Sequence, residues 1–174
     1  MHHVILTAIG PDRPGLVDQI SEYVFARAGN IEDSRMVNLR GRFAVMMLIG
    51  GDSTALDKLR AEAAALSKQT ALEVELHDAP PGHRGGTAVA YRLTGTTIDQ
   101  PGLVNRIAKL LRGMNVNIES LETQLRPAPY TGSPMFEMEL ILSVPQATPV
   151  NQLRQIVGNA CDELNIDWKL ERAQ

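Results

Sequence analysis

Eight residues near the start of the chain, Gly10-Pro11-Asp12-Arg13-Pro14-Gly15-Leu16-Val17, carry the makings of a small anion-binding turn. They stand where a strand-like run gives way to a helical one. The first N–H groups of a helix have no intrahelical partner and favour negative charge, so a ligand carboxylate can dock there without a dedicated side chain. Gly15 leaves no Cβ in the path of an approaching group. Arg13 adds a cation able to hold a carboxylate bidentately. Further on, Asn30-Ile31-Glu32 supplies an amide side chain, whose carbonyl and NH2 suit an α-amino group or a backbone segment. Each residue also has a plainer role. Asp12 can cap the helix, Pro14 can begin it, Arg13 can be a solvated partner of Asp12, and Asn30 can bridge a subunit contact. Glu32, Asp33 and Arg35 read equally as surface charge or as a face for a protein partner.

The same pattern returns 87 residues later. Gly15 maps onto Gly102 within Thr97-Ile98-Asp99-Gln100-Pro101-Gly102-Leu103-Val104, and Asn30-Ile31-Glu32 maps onto Asn117-Ile118-Glu119. Two motifs kept in register imply two copies of one small domain. The second copy thus offers Asp99, Gln100, Gly102, Leu103, Asn117 and Ile118 beside the first copy's Asp12, Arg13, Pro14, Gly15, Leu16, Asn30 and Ile31 as ligand-binding candidates. Gln100 in place of Arg13 removes one fixed positive charge.

The elements that must position these residues follow from periodicity. Val4-Ile5-Leu6 and Ile9 read as a strand. Leu16, Ile20 and Val24 keep the spacing of an amphipathic helix ending near Ala28-Gly29. Strands are expected from about Asn30 to Leu39 and from Phe43 to Ile49, the latter apolar on both faces and suited to a central position. Thr54-Ala55-Leu56-Asp57 resembles a capping box opening a helix to about Lys68, and Leu72, Val74 and Leu76 alternate with charged neighbours as in a half-buried strand. The order βαββαβ is the ferredoxin-like motif. It recurs with a strand from Ala88 to Thr96, a helix from Gly102 to Gly113 carrying Leu103, Ile107 and Leu110, and strands from Asn117 to about Arg126 and from Met135 to Val144. Thr148-Pro149 then reads as a helix cap and first residue, and Ile166, Trp168 and Leu170 mark a final strand. The expected class is α+β: a first domain over 1–79, a linker over 80–87 rich in Pro and Gly, and a second domain over 88–174, each an antiparallel four-stranded sheet with helices on one face.

At these residues the chain resembles the ACT domain family of small-molecule-binding regulatory modules. The mark is G-x-D-R-P-G-L-V at a strand-to-helix turn followed by N-I at the start of a strand, and both copies carry it. Gly29-Asn30-Ile31-Glu32-Asp33-Ser34-Arg35, in a tandem pair with nothing else attached, is similar to one subgroup, the glycine cleavage system transcriptional repressor family. The resemblance implies a cytoplasmic, non-catalytic regulator that responds to a small amino acid, with glycine or serine as candidates. It also implies action on transcription through a LysR-type transcription regulator rather than by reading DNA. Asn30 and Asn117 are, by this resemblance, expected near the glycine turns.

Composition agrees with a binding module. The net charge of −3 and the 4 % of aromatic residues give neither a basic footprint nor base-stacking platforms, so direct nucleic-acid contact is not expected. No run reaches the ~18 apolar residues of a membrane span, and the opening residues lack the charged n-region and cleavage site of a signal peptide. With the single Cys161, set at helical spacing among Ile156, Val157, Ala160 and Leu164, no internal disulfide is possible and a buried role is expected. No His, Cys and carboxylate set has metal-ligand spacing, and no cofactor is implied. Domains near 80 residues bury only ~60 % of their chain surface, so the two copies are expected to pack on each other or on a second subunit, and a homo-oligomer is the expected assembly. The uncharged strand Phe43–Ile49 further predicts that the free face of the first sheet is covered, by the second domain or by a subunit. Two other function classes stay open. An acylphosphatase-like hydrolase shares the element order and would use Arg13 on phosphate, and a ligand-free dimerisation module would need no site at all.

Overall fold

The computed structural model describes residues 2–80 and 88–173. Two compact units divide the chain, Met1–His83 and Arg84–Gln174. Of the expected linker 80–87, all but Pro80 lies outside the described residues. The first unit runs β1 (His2–Pro11), α1 (Leu16–Phe25), β2 (Asn30–Leu39), β3 (Arg42–Gly51), α2 (Ser53–Thr70) and β4 (Glu73–Asp78). The second runs β5 (Ala88–Ile98), α3 (Leu103–Gly113), β6 (Asn117–Pro127), β7 (Pro134–Pro145), α4 (Val150–Glu163) and β8 (Asp167–Arg172). The sheets have the orders β2-β3-β1-β4 and β6-β7-β5-β8, antiparallel throughout.

Period-2 and period-3.6 burial meet in each core. In the first unit Val4, Leu6 and Ala8 of β1 and Val45, Met47 and Ile49 of β3 face Leu16, Ile20 and Val24 of α1 and Leu56, Leu59 and Leu66 of α2. In the second, Leu93, Leu140 and Leu142 meet Ile107 and Leu111 of α3 and Val157 and Cys161 of α4. Leu111, not the expected Leu110, is fully buried on α3 beside Ile107, with Leu110 only packed against the core. Removing each of the Val, Leu, Ile and Met side chains among these from water contributes about 1.5–3 kcal/mol.

Three helix starts differ from expectation. Asp52 caps α2, its carboxylate accepting from the Ala55 N–H at 2.7 Å, so Thr54 lies inside the helix. Pro149 is the residue before α4, with extended backbone, rather than the first helical one, and Thr148 makes no cap. Pro14 likewise precedes the cap of α1, which is Gly15.

The outer faces of the sheets, away from the helices, contrast. Ile5 and Ile9 of β1, Ala44, Met46 and Leu48 of β3 and Val37 of β2 make the centre of the first one apolar, with Ile9, Val37 and Met46 about half exposed. The second carries the ion pairs Arg92–Glu139 at 3.4 Å, Arg126–Glu137 at 3.2 Å and Lys169–Glu171 at 2.7 Å.

Candidate functional site

The two glycine turns are near-identical backbone devices. Gly15 has φ 88°, ψ 0° and Gly102 φ 91°, ψ 5°. This is the third-residue conformation of a type II turn, with proline in the favoured second place. An L side chain is strained there, whereas a Cβ on either glycine would meet nothing within 4 Å. The glycines are therefore required by backbone sign, and the space in front of each is open. The helices begin at the next residue, and their first bonds are Gln19 N–H to the Gly15 carbonyl and Arg106 N–H to the Gly102 carbonyl, both 3.0 Å. No side chain caps either helix, so their first amides have neither an intrahelical nor a capping side-chain partner.

Asp12 is not the helix cap. Its carboxylate accepts from the Asn38 side-chain amide, and its N–H donates to the Gly41 carbonyl at 2.9 Å, tying the turn to the β2–β3 hairpin. Asp99 repeats the second bond, its N–H donating to the Pro134 carbonyl at 3.0 Å. Arg13 is not a partner of Asp12 either. It donates to the Gln19 side chain at 2.7 Å and to the Gln69 carbonyl at 3.4 Å, near the end of α2, where the helix dipole favours a cation. Gln100 performs the same task without charge, donating to the Leu164 carbonyl beyond α4 at 3.2 Å. The replacement of Arg13 by Gln100 thus preserves a helix-end contact. Asn38, Gly41 and Gln69 complete the turn, and only the Asn38-to-Gly41 turn composition hinted at two of them.

The structure does not bring Asn30 and Ile31 to the turn. Asn30 lies opposite Gly50, and Gly50 opposite His3, while Gly10 pairs with Phe43 at the other end. The seven residues from His3 to Gly10 span about 23 Å. Helix α1 carries the chain back along the sheet, so β2 starts at the far end. Asn117 is displaced likewise, opposite Ser143 and hence Ala90. What Asn-Ile-Glu marks is a β-bulge: the register shifts between Ile31 and Asp33 and again between Ile118 and Ser120. The extra residue is Glu32 in one copy and Glu119 in the other. Glu32 pairs with His3 at 3.1 Å, and Glu119 accepts from Asn117 at 2.8 Å.

Electrostatics distinguish the two helix ends. Asp18 sits in the first turn of α1, and α3 has no acid there, so α3 presents the less compensated positive end. Behind the first turn α1 is anchored by Tyr23, whose hydroxyl donates to the Leu59 carbonyl of α2. Arg27 stacks on the ring at 3.9 Å and pairs with Glu62. Burial pushes the Tyr23 phenol up, with Arg27 lowering it and Glu62 raising it by less. A cavity of about 560 Å³ opens at the opposite end of this unit, lined by His2, His3, Leu56, Asp57, Arg60 and Asp78 among others. Its Arg60 is engaged by Asp57 and Asp78. Among the described residues no group of three His, Cys, Asp or Glu could hold a metal ion, and no helix is long and apolar enough to cross a membrane.

Duplicated βαββαβ units, each entering its first helix through an uncapped glycine turn, define a class that sequence comparison names: residues 2–77 match the ACT domain family. The first unit is an ACT domain, and the second repeats its element order and its glycine turn. Over 164 residues, 94 % of this chain and 86 % of the relative, it is 25 % identical to the glycine cleavage system transcriptional repressor of Escherichia coli (strain K12). It is also 34 % identical over 76 residues, 42 % of this chain and 84 % of the relative, to UPF0237 protein MK1213 of Methanopyrus kandleri. The crystal structure of an unknown protein from Galdieria sulphuraria has the same fold, with a TM-score of 0.83, 24 % identity and 99 % of each chain covered. The full-length similarity to a repressor supports a regulatory role.

Proposed function

We propose that this chain is a non-catalytic, amino-acid-responsive regulator of transcription of the glycine-cleavage type. It acts in the cytoplasm through contact with a LysR-type transcription regulator. The observation that carries this reading is the similarity to a repressor along nearly the whole chain, both units included. The geometry supplies a means of sensing. A small amino acid, glycine or serine first, would set its carboxylate on the open amides of Leu16 and the residues after it, or on the equivalent amides from Leu103. Asp12, Arg13, Pro14 and Gly15, and Asp99, Gln100 and Gly102, hold those turns in shape. Within one unit Asn30, Ile31, Asn117 and Ile118 lie too far away to complete such a site, so they would contribute only to a site shared with a second copy of the chain. A ligand shifts the regulator only by its differential affinity for partner-bound and partner-free states.

Thermal denaturation against a panel of amino acids tests this. A ligand at 100 times its dissociation constant stabilises the folded form by ~2.7 kcal/mol. Glycine or serine is expected to raise the midpoint selectively and to change capture of the LysR-type partner in a pull-down. A flat panel together with capture indifferent to amino acids refutes the sensor.

A further inference from the structure

We infer that the outer face of the first sheet is a self-complementary interface, where the first unit of a second copy of this chain packs face to face. The cross-strand register decides the fit. One row across the sheet reads Glu75, Thr7, Met46, Arg35, and the next reads His77, Ile5, Leu48, Asp33. The middle of each row is largely apolar and its ends carry charge. All four terminal groups are exposed, with Arg35 paired to Asp33 along β2 and His77 to Glu75 along β4 at 3.2 Å. A two-fold axis parallel to the strands, lying between two stacked sheets, keeps each row at its own level but exchanges its ends. β2 of one copy then lies over β4 of the other. Arg35 faces Glu75 of the second copy, Asp33 faces its His77, and both contacts occur twice, as an isologous interface requires.

Sheets stack about 10 Å apart at a modest angle, within reach of these side chains once Met46, Ile5 and Leu48 interdigitate between them. The alternative axis, across the strands, would lay β2 on β2 and β4 on β4; run between the two rows it would set Arg35 against Asp33 and Glu75 against His77, contacts that reversing Arg35 and Glu75 together could not restore. The outer face of the second sheet is no match for this one. Its centre carries Glu137, Glu139 and Arg92, which would be stripped of water against the apolar rows.

Charge exchange in the full-length chain tests the arrangement by sedimentation equilibrium across a concentration series. The wild-type chain is expected to form dimers. Arg35→Glu and Glu75→Arg are each expected to weaken association by about ten- to a hundredfold, because each turns two symmetry-related attractions into repulsions. The double variant, or an equimolar mixture of the two single variants, is expected to restore it, since only β2-over-β4 stacking re-pairs the reversed charges. Met46→Glu is expected to abolish dimers, with circular dichroism showing each variant folded. A wild-type chain monomeric at its highest soluble concentration overturns the inference. So do dimers indifferent to Met46→Glu, or single reversals that the double variant and the mixture fail to rescue.

Discussion

Substituting Gly15 by Ala isolates the backbone contribution of the ligand turn. At φ 88° and ψ 0° an L residue carries about 1–2 kcal/mol of strain. Stiffening of the unfolded chain offsets about 0.4–1 kcal/mol of that. The added Cβ meets nothing within 4 Å, so no packing cost adds to the net of roughly 0–1.6 kcal/mol, centred near 1 kcal/mol. For a unit near 80 residues unfolding by itself, each kcal/mol moves the midpoint by about 4–8 °C. Differential scanning calorimetry is expected to show one transition lowered by Gly15→Ala and the other by Gly102→Ala, to the same extent, since Gly102 has φ 91° and the same open surroundings. Gly10→Ala is the control. Its Cβ would lie 2.6 Å from Leu72 Cδ2, 3.0 Å from the Ala71 carbonyl oxygen and 3.2 Å from Leu72 Cα. The backbone there cannot yield cheaply, and about 1–3 kcal/mol or more is expected. A Gly15→Ala chain more stable than wild type, or less stable than Gly10→Ala, would refute the reasoning that backbone sign rather than close approach selects this glycine.

Three further outcomes follow from local geometry. Arg40→Asn is expected to stabilise by about 0.5–1 kcal/mol in urea titration, because Arg40 at φ 49° and Gly41 at φ 77° form a hairpin turn that prefers Asn-Gly. Gly158→Ala is expected to destabilise by about 1–2 kcal/mol despite the better helix propensity of alanine, since its Cβ would lie 2.7 Å from Trp168 Cζ2; a higher melting point would contradict this. Burial, with a smaller push from Asp162, raises the Cys161 thiol from 9.0 to about 11. The folded chain then keeps a proton that the unfolded chain releases, so the thiol's contribution to stability is full below pH 9 and lost as pH rises from about 9 to 11. Urea midpoints across that range are expected to fall less in Cys161→Ala, and iodoacetamide is expected to label Cys161 only on unfolding.

Much of the fold was legible because its signals are local. Leu16, Ile20 and Val24 announce a helix by spacing alone, and Val74 and Leu76 between Glu73, Glu75 and His77 announce a half-buried strand. Helix starts were less legible. Asp52 and Thr54 are both plausible caps by composition, and which one meets an amide depends on where the preceding strand releases the chain. Pro14 is a similar case: proline is suited to the first helical position, but the left-handed glycine after it makes the pair a turn that precedes the helix.

The sequence by itself determined the duplication, the βαββαβ order and the two glycine turns, since a constant offset of 87 residues and short-range periodicity need no contact information. It could not determine which of the paired motifs meet. Helix α1 runs the chain back along the sheet, so Asn30 emerges at the end remote from Gly15, and the motif it begins is a bulge at a strand's start. The roles of Asp12, Arg13 and Gln100 were equally beyond it, because their partners Asn38, Gln69 and Leu164 lie 26 to 64 residues away. The row of Glu75, Thr7, Met46 and Arg35 is assembled from four strands. Cross-strand register, a property of the packed sheet and of no single segment, is what sets its charges at opposite ends.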